Sequence, residues 1–260
     1  MVFSSITFLF FFLPAVLLLN GCTRGRASNV LLLVASLLFY AWGEGIYLLV
    51  MLASVLGNFV AGLFIDRFRP TRAGRAALGL GVGLNLVLLG FFKYAGFLVD
   101  NLNQVLALVG LPGVALGPVH LPIGISFFTF QAISYLMDVH RGTVRAQRNP
   151  LDLGLYIALF PQLIAGPIVR YHDIAAEIVR RRVTSADFAA GAERFLYGLA
   201  KKVLLANPLG LVADKIFALP AAELSPSLCW LGALCYTFQI YYDFSGYSDM
   251  AIGLGRMFGF

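Results

Sequence analysis

Long apolar runs separated by short polar loops are the main pattern of this chain. The runs cover residues 2–19, 29–42, 46–65, 76–92, 121–139 and 228–242. Most of them have the roughly 17–25 residues that a helix needs to cross a hydrocarbon core about 30 Å thick. The pattern predicts an all-α, polytopic membrane protein with about six spanning helices.

The second run is the shortest. It ends in Tyr40 and Trp42, aromatic residues of the kind that lie at a membrane interface. Only Gly43, Glu44 and Gly45 separate it from the third run. The sequence therefore predicts a tight hairpin between these two helices.

Loop charges predict the orientation of the chain in the membrane. Lys and Arg are absent from the loop after the second run and from residues 100–120, the predicted loop after the fourth, and are concentrated in the loops after the first, third and fifth. Lys93, just after the fourth run, is the exception and can extend to the outer interface. The basic residues of those loops are Arg24 and Arg26, then Arg67, Arg69, Arg72 and Arg75, then Arg141, Arg145 and Arg148. Because basic loops stay in the cytoplasm, we expect these three loops to be cytoplasmic and the N-terminus to lie outside.

The apolar stretch at residues 151–168 has basic residues on both sides, so both of its ends are expected in the cytoplasm. Within residues 160–170, Pro161 and Pro167 enclose Gln162 and Gly166. A backbone broken at membrane depth is tolerated only where protein or a water-filled cavity shields it. The stretch thus predicts a re-entrant segment beside a path through the protein. The alternative is a membrane helix that carries two prolines.

Residues 186–205 place apolar side chains at helical spacing, with Arg194, Lys201 and Lys202 close by. Thr184 or Ser185 is a suitable helix cap. The pattern is typical of an amphipathic helix lying in the cytoplasmic interface. A helix packed between other helices explains it equally well.

Composition excludes several classes of protein. Hydrophobic residues make up 60% of the 260 positions and charged residues only 12%, which excludes a soluble domain. The net charge of +6 comes from short clusters between apolar runs, which indicates topology and contact with the lipid bilayer rather than nucleic acid. Cys22, Cys229 and Cys235 have no metal-ligand spacing, so no metal site is expected.

Polar residues inside apolar runs are the candidates for function, because they are costly in lipid. Gln131, Ser134, Tyr135 and Asp138 follow the spacing i, i+3, i+4 and i+7 and share one helical face. That face lines either a polar path or an interhelical hydrogen-bonded contact. Asn58 and Asn85 stand alone in their runs and are interpreted as structural contacts of the second kind.

The motif Asp243-Phe244-Ser245-Gly246-Tyr247-Ser248-Asp249 follows the last of these runs, and residues 250–260 are apolar again. Its carboxylates and hydroxyls either bind a substrate or cap a broken helix, and both alternatives remain open. The chain ends inside this apolar run, so we expect it to be part of a longer protein.

No residue has the context of a catalytic group. The three histidines, His120, His140 and His172, fall in predicted loops and are interpreted as ordinary loop residues. A phosphate-binding glycine loop and a serine nucleophile elbow are both absent from the sequence. The residues alone therefore predict a membrane protein with a polar interior path.

Four stretches resemble the membrane-bound O-acyltransferase family, and within it the branch that modifies exported polysaccharides. They are Ser-Leu-Leu-Phe-Tyr-Ala-Trp at 36–42, Leu-Pro-Ile-Gly-Ile-Ser-Phe-Phe-Thr-Phe-Gln at 121–131, residues 160–170 and residues 241–260. They extend from the early spans to the last residue. The resemblance implies a single helical domain over residues 1–260, forming the N-terminal part of a longer enzyme of the bacterial cytoplasmic membrane.

The resemblance also implies a function. An acetyl group from acetyl-CoA or a carrier thioester would pass through a membrane tunnel to hydroxyls of an exported polysaccharide such as alginate. Extracytoplasmic partner proteins would complete the transfer, and no cofactor would stay bound. The candidate tunnel-lining residues are Gln131, Tyr135, Pro161, Gln162, Gly166, Pro167, Asp243, Ser245 and Asp249.

The base of this family is thought to be a histidine that follows the Asp-Phe-Ser-Gly-Tyr-Ser motif, in a segment that would begin after Phe260. We therefore expect no catalytic residue in this chain, and no activity from it alone. A transporter or flippase also uses broken helices, although such proteins often carry paired repeats and none is found in this sequence. A non-catalytic scaffold of an envelope-acylation complex is the third alternative.

Overall fold

The computed structural model describes residues 2–164, 166 and 169–260, and all regular elements in these ranges are helical. The helices are α1 (Leu13–Cys22), α2 (Arg26–Glu44), α3 (Leu48–Phe68), α4 (Arg72–Leu108), α5 (Ile125–Arg141), α6 (Pro150–Ala158), α7 (Phe160–Leu163), α8 (Tyr171–Val179), α9 (Ser185–Ala200), α10 (Asn207–Phe217) and α11 (Pro226–Phe258). Two π-helical segments, Phe8–Phe12 and Lys201–Ala206, precede α1 and α10. The prediction of an all-α protein is confirmed.

Among the residues that the structure describes, three helical stretches are long and apolar enough to cross a membrane: Arg26–Phe68, Arg72–Leu108 and Ser185–Phe217. Phe8–Cys22 is a shorter apolar helix. These stretches support a membrane protein, whereas the predicted number of about six spans stays a prediction.

The chain forms two compact units, and each has its own packing. The first unit contains residues 2–32 and 176–260, and the second contains residues 33–164 and 169–175. The prediction of a single membrane domain is not tested by this division.

In the second unit, α2 and α3 form the predicted hairpin. A 3-10 turn at Gly45–Tyr47 joins them, and Gly45 has a φ of 53°, which glycine adopts without a steric penalty. Leu33 of α2 and Val55 of α3 both lie against Gly154 of α6, which is possible only if the chain folds back at the turn.

Helices α3, α4 and α5 pack through small residues and one polar pair. Asn58 Nδ2 donates to Asn85 Oδ1 at 3.2 Å, and Asn85 Nδ2 donates to Asn58 Oδ1 at 2.7 Å. This confirms the interpretation of both residues as structural contacts. The Tyr135 ring lies directly over the backbone of Gly62, so α5 can approach α3 closely.

The fourth helix is longer than predicted. The sequence predicts a helix over residues 76–92 and a loop from 100 to 120, but α4 continues to Leu108. Asp100, Asn101 and Asn103 are polar without breaking a helix, and the first residue that does so is Gly110, with a φ of 71°. The Asn103 side chain then accepts from Val114 N at 2.7 Å and donates to Val114 O at 3.0 Å, which holds the following loop.

In the first unit, a continuous helical stretch from Ser185 to Phe217 packs along α11. Thr184 is the cap, and its side chain and that of Asp187 form a capping box. The contact with α11 fits the packed-helix alternative for residues 186–205, and the interfacial alternative stays a prediction.

Glycines bring the backbones of α9 and α11 into contact. A Cβ atom at Gly191 would lie 2.7 Å from Gly253 O, and one at Gly198 would lie 2.5 Å from Gly246 O. Reciprocally, Gly246 and Gly253 face the carbonyl oxygens of Gly198 and Gly191. Neither helix can carry a side chain at these positions without moving away from the other.

Candidate functional site

The predicted re-entrant stretch contains a real break, which lies just before the first proline. Helix α6 ends at Ala158, Leu159 has a ψ of 115°, and α7 is a single turn with Pro161 in its first positions. Pro161 has no N–H and its ring would collide with the carbonyl four residues earlier, so α6 cannot continue through it. The break therefore follows from Pro161.

Hydrogen bonds within the protein satisfy backbone and side-chain polar groups at this break. Phe160 N donates to Ser36 Oγ at 3.1 Å, and Gln162 Nε2 donates to Tyr156 O at 2.6 Å. All of α7 is buried, as a broken segment at membrane depth requires. Gly166 is buried as well, whereas Pro167 lies outside the described residues. Whether both ends of the stretch face the cytoplasm stays a prediction.

The polar face of α5 lies in the interior of the same unit, as its periodicity predicts. Gln131, Tyr135 and Asp138 are buried. Ser134 Oγ donates to Gln131 O at 2.9 Å, and Tyr156 OH donates to Val169 O at 2.9 Å. Within the described part of the chain, Gln131 Oε1 is buried and has no hydrogen-bond donor. The Gln131 side chain therefore offers a buried acceptor that no described donor occupies.

Three tyrosines and Gln147 extend this cluster. The Tyr171 ring meets those of Tyr135 and Tyr156 edge-on, with centroids 5.1 Å and 5.2 Å apart. Gln147 N donates to Tyr135 OH and Gln147 Nε2 donates to Tyr171 OH, both at 3.0 Å. Burial raises the pKa of Tyr171 above its ordinary value. Its hydroxyl therefore stays protonated at neutral pH and supplies a neutral polar wall.

His172 and Asp138 are in contact at the edge of the cluster. His172 Nδ1 lies 3.0 Å from Asp138 Oδ2, and its Nε2 lies 3.1 Å from Asp173 Oδ1. The prediction that all three histidines are loop residues is wrong for two of them. His172 lies in the first turn of α8 and His140 in the last turn of α5. His120 does lie in a loop, with its Nε2 at 3.0 Å from Glu44 Oε2.

The Asp-Phe-Ser-Gly-Tyr-Ser-Asp motif lies in the first unit, inside the unbroken helix α11. The alternative that it caps a broken helix is therefore wrong. Lys202 Nζ is 2.7 Å from Asp243 Oδ1. Lys201 Nζ is 2.6 Å from Asp249 Oδ2 and donates to Ser245 Oγ at 3.0 Å. The polar residues of the motif thus join α11 to the neighbouring helix.

Arg194 completes this contact, with its Nε 3.1 Å from Asp249 Oδ1. From the sequence, Arg194, Lys201 and Lys202 were interpreted only as the basic side of an amphipathic helix. Their acidic partners lie in another segment of the chain. The one sequence feature that relates the two segments is that each combines charged residues with two glycines seven positions apart. The candidate tunnel-lining residues that the structure describes therefore belong to both units: the second contains Gln131, Tyr135, Pro161 and Gln162, and the first contains Gly166, Asp243, Ser245 and Asp249.

Gln147, Tyr156 and Tyr171 are site residues that sequence reasoning missed. Tyr156 stands in an apolar run and Gln147 in a basic loop, so neither pattern marks them. In the part of the chain that the structure describes, no group of three or more His, Cys, Asp or Glu residues is placed to hold a metal ion.

Comparison with known proteins relates the whole chain to enzymes. No protein-family model matches it. It is 48% identical over 261 residues to the probable alginate O-acetylase of Pseudomonas putida, with 100% of this chain and 53% of the relative covered. The resemblance to membrane-bound O-acyltransferases is confirmed.

Two other relatives are less similar to this chain. The peptidoglycan O-acetyltransferase of Helicobacter pylori is 35% identical over 290 residues, with 99% of this chain and 54% of the relative covered. The teichoic acid D-alanyltransferase of Bacillus subtilis is 26% identical over 145 residues, with 53% of this chain and 35% of the relative covered. The chain spans about half the length of the O-acetylases that it matches.

Proposed function

We propose that this chain is part of a bacterial membrane O-acyltransferase that acetylates hydroxyl groups of an exported polysaccharide such as alginate. The observation that carries the proposal is the 48% identity to an alginate O-acetylase along the whole of this chain. The more distant relatives are named for acyl transfer to other envelope polymers, which supports the reaction class more strongly than the acceptor.

The proposed donor is a cytoplasmic thioester, either acetyl-CoA or an acylated carrier. Transfer forms an ester bond between the acceptor oxygen and the acyl carbon and breaks the C–S bond of the thioester. The hydroxyl proton ends on the thiol that leaves. Extracytoplasmic partner proteins are proposed to complete delivery to the polymer outside the cytoplasmic membrane.

The contribution of the second unit to this reaction is proposed to be a shielded polar wall. Gln131 Oε1 is a buried acceptor without a donor among the described residues, and Gln162 is held by the carbonyl of Tyr156 beside the helix break. Neutral amides and hydroxyls can line the path of a polar thioester without adding a charge to a membrane interior. No residue of this wall is proposed to do the chemistry.

The test is the acetyl content of the envelope polysaccharide in the source bacterium. Deleting the complete gene should abolish acetylation, and restoring it should recover the wild-type level. If the deletion strain keeps fully acetylated polymer, the proposed function is wrong, and a scaffold or transporter assay becomes the next experiment.

The proposed wall has its own test in the restored strain. Gln131→Leu and Gln162→Leu should each lower acetylation at least about fivefold, because each removes a polar group from the interior. Gln104→Leu on exposed α4 is the matched control and should leave acetylation unchanged. The wild type and all three variants must be present at equal levels in the membrane fraction. Normal acetylation in both interior variants would show that Gln131 and Gln162 do not line the path of the donor.

A further inference from the structure

The first unit contains a polar cavity that is lined by arginines and does not involve the α5 cluster. It has a volume of about 520 Å³. We call it the arginine pocket, after Arg24, Arg180 and Arg181 in its wall. Its remaining lining consists of neutral polar and apolar residues, and no acidic residue takes part. The lining is therefore cationic.

One arginine of the pocket is held in a fixed orientation. Arg181 Nη2 donates to Ser28 Oγ and to Asn29 Oδ1, both at 2.7 Å. Asn29 Nδ2 in turn donates to Ile178 O at 2.9 Å, and the guanidinium lies 4.4 Å from the ring centroid of Phe260. Ser28 and Asn29 are buried. A charge positioned in this way loses little freedom when it binds a ligand.

The other two arginines of the lining are exposed. Arg24 lies in the connection before α2, and Arg180 lies directly after α8. The first turn of α2 lies in the same wall, because Ser28 and Asn29 belong to it. The N–H groups of a first helical turn favour a negatively charged group.

The lining also contains apolar residues, Leu17, Val183, Phe188 and Met257 among them. A cavity lined by both guanidinium groups and hydrocarbon fits a ligand with an anionic oxygen-rich head and an apolar part. Guanidinium groups bind phosphate through paired N–H donors.

We infer that the arginine pocket binds a phosphate ester. The phosphate would be held by Arg24, Arg180 and Arg181, and the apolar part of the ligand would lie against Phe188 and its neighbours. The phosphate can belong to an anionic phospholipid headgroup or to a soluble phosphate ester. The inference does not depend on acyl transfer, because it uses residues outside the α5 cluster.

The experiment is native mass spectrometry of the purified protein in detergent, with phosphatidylglycerol as the lipid probe and diacylglycerol of the same chain length as the uncharged control. Adenosine 3′,5′-bisphosphate is the soluble probe. The test variant is Arg24→Gln with Arg180→Gln. The matched control is Arg26→Gln with Arg182→Gln, which removes two charges that are each two residues along the chain from Arg24 and Arg180 but lie outside the pocket lining.

The test variant should bind phosphatidylglycerol about 10- to 30-fold more weakly than the wild type, whereas the control variant should stay within about twofold. Binding of the lipid alone identifies a headgroup site, and displacement of the lipid by adenosine 3′,5′-bisphosphate identifies a site for soluble phosphate esters. Equal binding of diacylglycerol, equal losses in both variants, or no binding of either phosphate probe would overturn the inference.

Arg181 gives a second line of evidence. Arg181→Lys keeps a positive charge but loses the paired N–H geometry, so it should weaken phosphate binding while the protein still elutes as a folded species. Unchanged binding in Arg181→Lys would mean that the pocket recognises charge in general and not a phosphate group.

Discussion

The backbone contact between α9 and α11 makes a sharp prediction about glycine substitutions. In Gly198→Ala, the new methyl group would lie 2.5 Å from Gly246 O and 2.6 Å from Met250 N. Ordinary contacts begin at 3.4 Å, so the helices must separate locally by about 0.9 Å, the difference between these two distances. Because the obstacle is backbone and not a flexible side chain, it cannot rotate away.

Two opposing contributions decide the size of the effect. Overpacking costs about 1–3 kcal/mol, whereas replacing a helical glycine by alanine gains about 0.8–1.0 kcal/mol of helix propensity. The balance for Gly198→Ala is a loss of about 1 kcal/mol in the free energy of unfolding. The strain also acts next to the Lys201–Asp249 ion pair, so a gain in stability is not expected.

The control is Gly83→Ala in α4. A Cβ atom there meets nothing within 4 Å, so only the propensity gain remains, and this variant should be more stable by about 0.5–1 kcal/mol. Both variants can be compared with the wild type by thermal unfolding in the same detergent. The result that refutes the reasoning is Gly198→Ala with a stability equal to that of Gly83→Ala, because it would mean that the helices do not touch through their backbones.

Three further predictions use other contacts. Asn58→Leu should lower the free energy of unfolding by about 1 kcal/mol, because it removes both hydrogen bonds to Asn85; adding Asn85→Leu should cost less than the sum of the single changes in the same unfolding assay. Asp249→Asn should cost about 1–2 kcal/mol, because two charge-assisted contacts lose their anion. Reporter fusions at Arg145 and at Arg180 should both give a cytoplasmic signal, because basic residues flank the broken stretch on each side.

Each of these has an outcome that contradicts it. Strictly additive losses for the two asparagines would show that they do not interact. Wild-type stability of Asp249→Asn would mean that solvent screens the ion pairs completely. Fusion signals from opposite sides of the membrane would turn residues 151–168 into a spanning segment and remove the re-entrant interpretation.

Features set by local sequence were predictable. The α5 polar face follows from a spacing of three and four residues at Gln131, Ser134, Tyr135 and Asp138, and the structure places that face inside. The hairpin was predicted at Gly43-Glu44-Gly45, and the turn lies at Gly45–Tyr47, because α2 continues through Gly43 and Glu44. In both cases a short segment contains all the information that decides its conformation.

Features set by distant segments were not predictable. Asp243 and Asp249 were candidates for substrate binding because their partners, Lys202 and Lys201, lie on another helix. Gln147 was one polar residue in a basic loop until the fold brought it to Tyr135 and Tyr171. The predicted end of α4 was wrong for a different reason. The polar residues from Asp100 onward were interpreted as a loop, although the helix ends only near Gly110.

The π-helical segment Lys201–Ala206 has a consequence for how this helix could change in length. Gly191 and Gly198 are seven residues apart, about two turns of α-helix, and Gly210, which faces Gln239 of α11, is twelve residues further along. A π-helical segment absorbs roughly one extra residue, so those twelve positions advance the helix by only about three turns. All three glycines therefore face the same neighbour. A chain with one residue fewer between 201 and 206 would keep that face as a plain α-helix, so deletion of one residue should be tolerated within this segment.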